Sequence, residues 1–213
     1  GRPGSVIENY LGDALMALPR IPGDAARLAA RFGFFGQPTS FKGLDVLLRA
    51  LALALRGNPA LTLTTFGAER EDVVRMFPEL EPVIAECGAA LVFGGRYDAA
   101  EAVPLMRSVG WVVVPSTWWE NSPVVIQEAK RAGTPLLVSD IGGMAEKVEP
   151  GVDGLQFRRG SPVDLARAML DAADPALRAR LADALRDATG RDAFLAALDD
   201  AYGARPRAAE AAE

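Results

Sequence analysis

The sequence predicts an α/β fold, with a parallel sheet covered by helices on both faces and a helical carboxyl-terminal end. Three observations lead there. Short, continuous apolar runs recur along the chain, such as Trp111-Val112-Val113-Val114. Strands buried on both faces read this way, whereas half-exposed strands alternate apolar with polar residues. Between the runs, apolar residues repeat at helical spacing, as at Leu44, Leu47, Leu48, Leu51 and Leu55. Glycines cluster where strands hand over to helices, as in Gly94-Gly95 and Gly142-Gly143.

Taken in order, residues 1–28 hold Pro3, Pro19 and Pro22 with several glycines. They are expected to be a lead-in or linker rather than core. The alternation starts at Arg31, with a strand over 31–35 and a leucine-rich helix over 42–56. A strand over 61–66 and a helical stretch over 71–86 follow, the latter carrying Pro78 and Pro82. Next come a strand at 89–93, a helix at 99–109 and the strand at 111–114. Ser122-Pro123 reads as a helix start, with serine as N-cap and proline at the first helical position, so a helix is expected over 123–132. A strand at 135–139, a short helix near 144–148 and a strand at 154–157 complete the alternation. Residues 161–202 are alanine-rich and helical, and residues 204–213 read as a disordered tail. One domain over 29–203 is expected.

Composition narrows the chemistry. The chain has 213 residues, half of them hydrophobic, which is enough for one sizeable core. Its net charge of −5 and lack of a basic run speak against nucleic acid as a partner. Histidine is absent, so a His-based triad, a His general base and His metal ligation are excluded within this sequence. The single Cys87 makes neither an internal disulfide nor a cysteine zinc site, and it reads as a small buried hydrophobe in a reducing cytoplasm. No apolar run approaches the ~18 residues of a membrane span. Only Lys42, Lys130 and Lys147 are lysines.

In such folds ligands bind beyond the carboxyl ends of the strands, near the point where strand order reverses. After the first strand, Gly36-Gln37-Pro38-Thr39-Ser40-Phe41-Lys42-Gly43 opens a helix. Glycine lets backbone approach a phosphate, a helix N-terminus carries partial positive charge, and lysine adds a full one. The competing reading of this loop is a solvated turn. Gly94-Gly95-Arg96-Tyr97 and Asp140-Ile141-Gly142-Gly143-Met144-Ala145-Glu146 occupy corresponding places.

Glu120 and Glu128 stand eight residues apart, the first on the loop after the fourth strand and the second inside the next helix. Their carboxylates are then at most about 12 Å apart. That separation suits two acceptors gripping different parts of one hydroxyl-rich ligand, with both acids and Lys42 facing one cavity. The bland alternatives are a Glu128–Arg131 surface pair, an exposed loop acid at Glu120, and a pair of tryptophans, Trp118 and Trp119, covering the sheet end.

The run from Val114 through Trp118-Trp119-Glu120-Asn121-Ser122-Pro123 to Gln127-Glu128-Ala129, followed by Gly133-Thr134-Pro135 and Gly142-Gly143-Met144-Ala145-Glu146, resembles the retaining GT-B glycosyltransferases of family four. Phe35-Gly36-Gln37 through Lys42-Gly43 is similar to that family's phosphate loop, and Gly151-Val152-Asp153-Gly154-Leu155 to its usual turn. The likeness spans roughly residues 31–169.

The resemblance implies a Rossmann-like half of a GT-B fold that binds a nucleotide-sugar donor, with no metal or other cofactor required. It assigns Glu120 to sugar hydroxyls, Glu128 to ribose hydroxyls, and Lys42 to the charge of the departing diphosphate. Backbone around Asn121, Ser122, Pro123 and Val124 would face phosphates and sugar, and Gly95, Arg96 and Tyr97 would lie by the base. Gly36 and Gln37 occupy the place where the family commonly has Gly-Arg, so a cation beside the diphosphate is replaced by a neutral amide. The acceptor-binding amino-terminal half is expected elsewhere in a longer protein, and any membrane contact would come through that half.

The leading expectation is therefore the donor-binding domain of a cytoplasmic hexosyltransferase, inactive alone. A non-catalytic sugar-nucleotide-binding module is the alternative. A glycoside hydrolase is disfavoured, because its carboxyls must lie about 5–5.5 Å or 6.5–9.5 Å apart. A partner-binding role for the carboxyl-terminal helices stays open.

Overall fold

A computed structural model describes residues 9–202 of the chain. Six strands form one parallel sheet in the order β3-β2-β1-β4-β5-β6. They are β1 (Arg31–Phe35), β2 (Thr62–Phe66), β3 (Leu91–Phe93), β4 (Trp111–Val114), β5 (Leu136–Ser139) and β6 (Gly154–Phe157). The order is Rossmann-like, and it reverses between β1 and β4, which pair through Phe32–Trp111, Gly33–Val112 and Phe34–Val113.

Side-chain alternation along each strand divides the core between the two faces of the sheet. Phe32, Phe34, Leu63, Trp111, Val113 and Leu137 pack on one face, against α3 (Leu44–Leu55), α5 (Glu81–Cys87) and α9 (Pro162–Ala172). Phe35, Phe66, Val112, Val114, Leu136 and Val138 pack on the other, against α6 (Ala102–Met106), α7 (Val124–Ala132) and α8 (Gly142–Lys147). The β4 run is buried at all four positions, as its unbroken apolar sequence requires. Cys87 is buried, as expected.

Several boundaries differ from expectation, each for a local reason. The helical stretch 71–86 divides into α4 (Arg70–Met76), a 3-10 turn at Pro78–Leu80, and α5. Phe77, which precedes Pro78, adopts φ −135° and ψ 72°, outside the helical region. Residues 99–109 become a 3-10 turn at Ala99–Glu101 followed by α6, because Pro104 has no N–H for the helical ladder. Pro123 rather than Ser122 is the N-cap of α7, at ψ 118°, and Val124 is the first helical residue. The Ser122 hydroxyl instead accepts from the backbone N–H of Asn9. Helix α8 begins two residues before its expected start, at Gly142.

The lead-in is not excluded from the core. Besides α1 (Asp13–Met16) and α2 (Ala25–Leu28), it buries Leu11 and Leu28. The Leu11 N–H donates to the Thr189 carbonyl at 2.9 Å. Arg178, on α10 (Pro175–Ala184), is 1% exposed and donates to the carbonyls of Pro22, Gly23 and Gly110. Proline-rich sequence reads as linker, yet its free carbonyls satisfy this buried guanidinium. The expected helical end comprises α9, α10 and α11 (Arg191–Tyr202). The expected tail at 204–213 lies outside the described residues.

Candidate functional site

Loops leaving β1 and β4 diverge at the point where strand order reverses, and between them Lys42, Ser116 and Glu120 come together. The β1 loop ends in Lys42-Gly43. Gly43 caps α3 with φ 68°, and a Cβ there would stand 2.0 Å from the Pro115 carbonyl oxygen. Only glycine permits this approach. It brings Lys42 against the β4 loop, and the Thr117 N–H donates to the Phe41 carbonyl at 2.9 Å across the same seam.

Lys42 Nζ then lies 3.0 Å from both carboxylate oxygens of Glu120. The fully buried Ser116 hydroxyl donates to Glu120 Oε1. The Glu120 main chain is fixed as well, because its carbonyl accepts the Gly143 N–H at 2.6 Å. A Cβ on Gly143 would be 2.3 Å from that carbonyl oxygen, which gives the second glycine of Gly142-Gly143 a structural reason. Thus three loops converge on Glu120, and each is held by backbone contacts.

Two adjoining cavities divide the expected residues. One, of about 760 Å³, is lined by Gly36, Gln37, Arg96, Tyr97 and Glu128 together with Asp72 and Arg75. Its neighbour, of about 600 Å³, is lined by Lys42, Glu120, Asn121 and Ser122 with Phe41, Trp118 and Trp119. Among the described residues, Thr39 alone lines both walls. The expectation of one shared cavity is therefore corrected: Lys42 meets Glu120, while Glu128 looks into the next chamber. Pro123 and Val124 stand at the start of α7 rather than in either wall.

Electrostatics set Glu128 apart. Burial pushes its carboxyl up to about 7. Arg131 is not its partner, since that guanidinium pairs with Asp187 at 3.1 Å. Burial, and then the nearby Glu128 charge, raise the Tyr97 phenol to about 12. Arg96 is mostly exposed and reaches Asp72 at 3.9 Å. Gln37 is exposed on the same chamber. No group of three or more metal-ligating acids, cysteines or histidines occurs among the described residues.

Trp118 and Trp119 are 59% and 65% exposed and line the Glu120 cavity. Sequence reasoning also missed Asn9, whose side-chain amide donates to the Ser122 carbonyl and which lines the Glu120 cavity. Nothing in the spacing of a proline-rich lead-in signals that contact. Ser116 was visible as Pro115-Ser116 after a strand, yet its bond to Glu120 required coordinates.

The arrangement offers a lysine against one fixed carboxylate with three-loop support, and in the next chamber two arginines beside a second carboxyl that burial pushes up to about 7. A hydroxyl-rich anion spanning both chambers would find a partner for each of its parts.

Comparison with known proteins places this chain in a family. Residues 29–174 match the family described as glycosyl transferases group 1. The D-inositol 3-phosphate glycosyltransferase of Nocardia farcinica is 32% identical over 161 residues, covering 70% of this chain and 36% of that protein. The protein of the same name from Stackebrandtia nassauensis is 32% identical over 202 residues, covering 91% of this chain and 44% of that one. The chain thus spans 36% and 44% of the length of these curated relatives. Among solved structures, Anabaena HepE in complex with UDP and glucose superposes with a TM-score of 0.68 at 26% identity, covering 91% of this chain and 52% of that one. The C-terminal domain of a glycosyl transferase group 1 family protein from Francisella tularensis shares the fold, with a TM-score of 0.62 at 20% identity, over 94% of this chain and 97% of that one. With 146 consecutive residues of matching family pattern laid over a Rossmann-like GT-B half, the chain belongs to the group 1 glycosyl transferases.

Proposed function

We propose that this chain is the donor-binding part of a retaining glycosyltransferase that moves a hexose from a nucleoside-diphosphate sugar to an acceptor hydroxyl. The observation that carries the reading is the Lys42–Glu120 pair at the reversal of strand order, beside a chamber holding Glu128. Solved HepE complexes with UDP, and with UDP and glucose, lend the ligand class. In this reading Lys42 and the first-turn amides of α7 neutralise the departing diphosphate. Glu120 accepts sugar hydroxyls, Glu128 accepts ribose hydroxyls, and the base lies toward Arg96 and Tyr97. Cation and amides meet the charge of the leaving group, so the reaction needs no metal.

The acceptor site belongs to a further domain of a longer, cytoplasmic protein, through which any membrane contact would run. The chain by itself binds donor weakly and turns over little. Calorimetry with UDP, GDP and ADP tests the site. Affinity should fall at least about tenfold in Lys42→Ala and in Glu128→Ala, the loss expected from removing a charge-assisted bond. Unchanged affinity in both variants overturns the assignment.

One observation favours a second reading, a non-catalytic sugar-nucleotide-binding module: the neutral Gln37 stands in the chamber wall where a cation is expected. Transfer by the full-length protein discriminates the two. A hydrolase draws no support, because Glu120 is held by Lys42 and Ser116 while Glu128 lines the other chamber.

A further inference from the structure

We propose that Glu120 makes the site prefer a diphosphate carrying a sugar over a free nucleoside diphosphate, by holding Lys42 whenever no sugar hydroxyl is present. This rests on the nucleotide-sugar reading above and adds a direction to it. Lys42 Nζ donates to both Glu120 oxygens at 3.0 Å. The Glu120 side chain is 18% exposed and that of Lys42 40%, so the carboxylate is the more desolvated partner. A desolvated charge that loses its partner costs more than the intact pair contributes.

A nucleoside diphosphate arriving alone competes with Glu120 for the ammonium. Taking it leaves Glu120 with only the Ser116 hydroxyl as a side-chain partner among the described residues, and places phosphate charge nearby. A sugar on the terminal phosphate changes the balance, because its hydroxyl donors replace Lys42 on the carboxylate. The same group therefore opposes the bare diphosphate and welcomes the glycosylated one. Preference arises from a penalty on the wrong ligand as well as from a contact to the right one. Once the sugar has been transferred, Glu120 recaptures Lys42 and the spent nucleotide leaves faster.

The exchange needs only side-chain motion. The Glu120 carbonyl stays on the Gly143 N–H, and the Lys42 loop stays on the Thr117 N–H. Neither contact involves the carboxylate or the ammonium.

Calorimetry of the whole chain at pH 7.5 with UDP and with UDP-glucose tests the inference in the wild type, Glu120→Gln, Lys42→Ala and the double variant. Glu120→Ala, which also frees Lys42, serves as the second variant if the amide misfolds. Glu120→Gln should bind UDP about tenfold tighter than wild type, as expected when a charge-assisted competitor for Lys42 is removed, and gain nothing for UDP-glucose. The UDP gain should vanish in the Lys42→Ala background. Equal tightening of both ligands overturns the proposal, since simple loss of negative charge would produce it. An unchanged or weaker UDP affinity in Glu120→Gln, with Lys42→Ala still weaker than wild type, overturns it while leaving the site assignment standing. No binding of either ligand to any variant overturns both.

Discussion

Lys42 and Glu120 reach each other from opposite sides of the point where strand order reverses, and they meet with Nζ 3.0 Å from both carboxylate oxygens. The meeting depends on a residue that touches neither. Gly43 sits in the left-handed region, and its missing Cβ lets α3 abut the Pro115 carbonyl. Gly43→Ala should therefore force the two loops apart. The expected cost is about 1–3 kcal/mol of stability from backbone strain, with loss of nucleotide binding. Urea unfolding and calorimetry measure the two effects. A variant that binds UDP as the wild type does would show that the Lys42 position tolerates loop displacement.

Glu128 couples stability to pH in the direction opposite to most surface acids. Its folded carboxyl titrates at about 7, against an ordinary value of 4.5. The folded state therefore binds the proton more tightly than the unfolded chain. Stability from this group is complete below about pH 4.5 and declines as pH rises toward 7. Glu128→Gln removes the decline, so the variant should be more stable than wild type at pH 8 by about 1–3 kcal/mol, and about equal to it at pH 4. Because the Glu128 charge helps hold the Tyr97 phenol near 12, a tyrosine titration should move downward in the variant. Unfolding midpoints that shift equally at pH 4 and pH 8 would contradict the account.

How much of this was legible beforehand follows the physics of each feature. The strands at 31–35, 111–114 and 154–157 have the limits that the sequence predicts, because buried parallel strands write themselves as local apolar runs. Lys42, Glu120 and Glu128 were legible because strand-to-helix junctions fix which sheet edge a loop occupies. The division into two chambers was not, since it depends on the direction of side chains leaving different elements. The N-cap of α7 failed for a related reason. Ser122 is a good cap by type, but its hydroxyl is engaged by Asn9, more than a hundred residues away in sequence. The burial of Leu11 and the Arg178 contacts are likewise long-range and leave no periodic trace.

Arg178 gives the lead-in an energetic role. Its guanidinium is buried and donates to three carbonyls, two of them from Pro22 and Gly23. Burial lowers its pKa, partly offset by Asp24. Arg178→Ala would strand those carbonyls inside the protein, and the expected loss is about 2–4 kcal/mol by chemical denaturation. Arg178→Met, which restores bulk without donors, should recover little. A Met variant as stable as wild type would mean that packing, rather than donated hydrogen bonds, secures the lead-in.

Gln37 offers the most direct gain-of-function test of where the diphosphate lies. Its exposed amide lines the chamber that also holds Glu128, Arg75 and Arg96. Both arginines are drawn toward Asp72, at 3.2 Å for Arg75 and 3.9 Å for Arg96, so neither is an uncommitted cation. Gln37→Arg adds a guanidinium able to grip phosphate oxygens in bidentate fashion. If the diphosphate passes from Lys42 into this chamber, UDP affinity should rise about five- to fiftyfold, about 1–2 kcal/mol. The gain should shrink as salt rises, because part of it is exposed charge. Uridine, which lacks phosphate, should bind the variant and the wild type alike. A gain for uridine equal to that for UDP would place the new cation beside the nucleoside and move the phosphates out of this chamber.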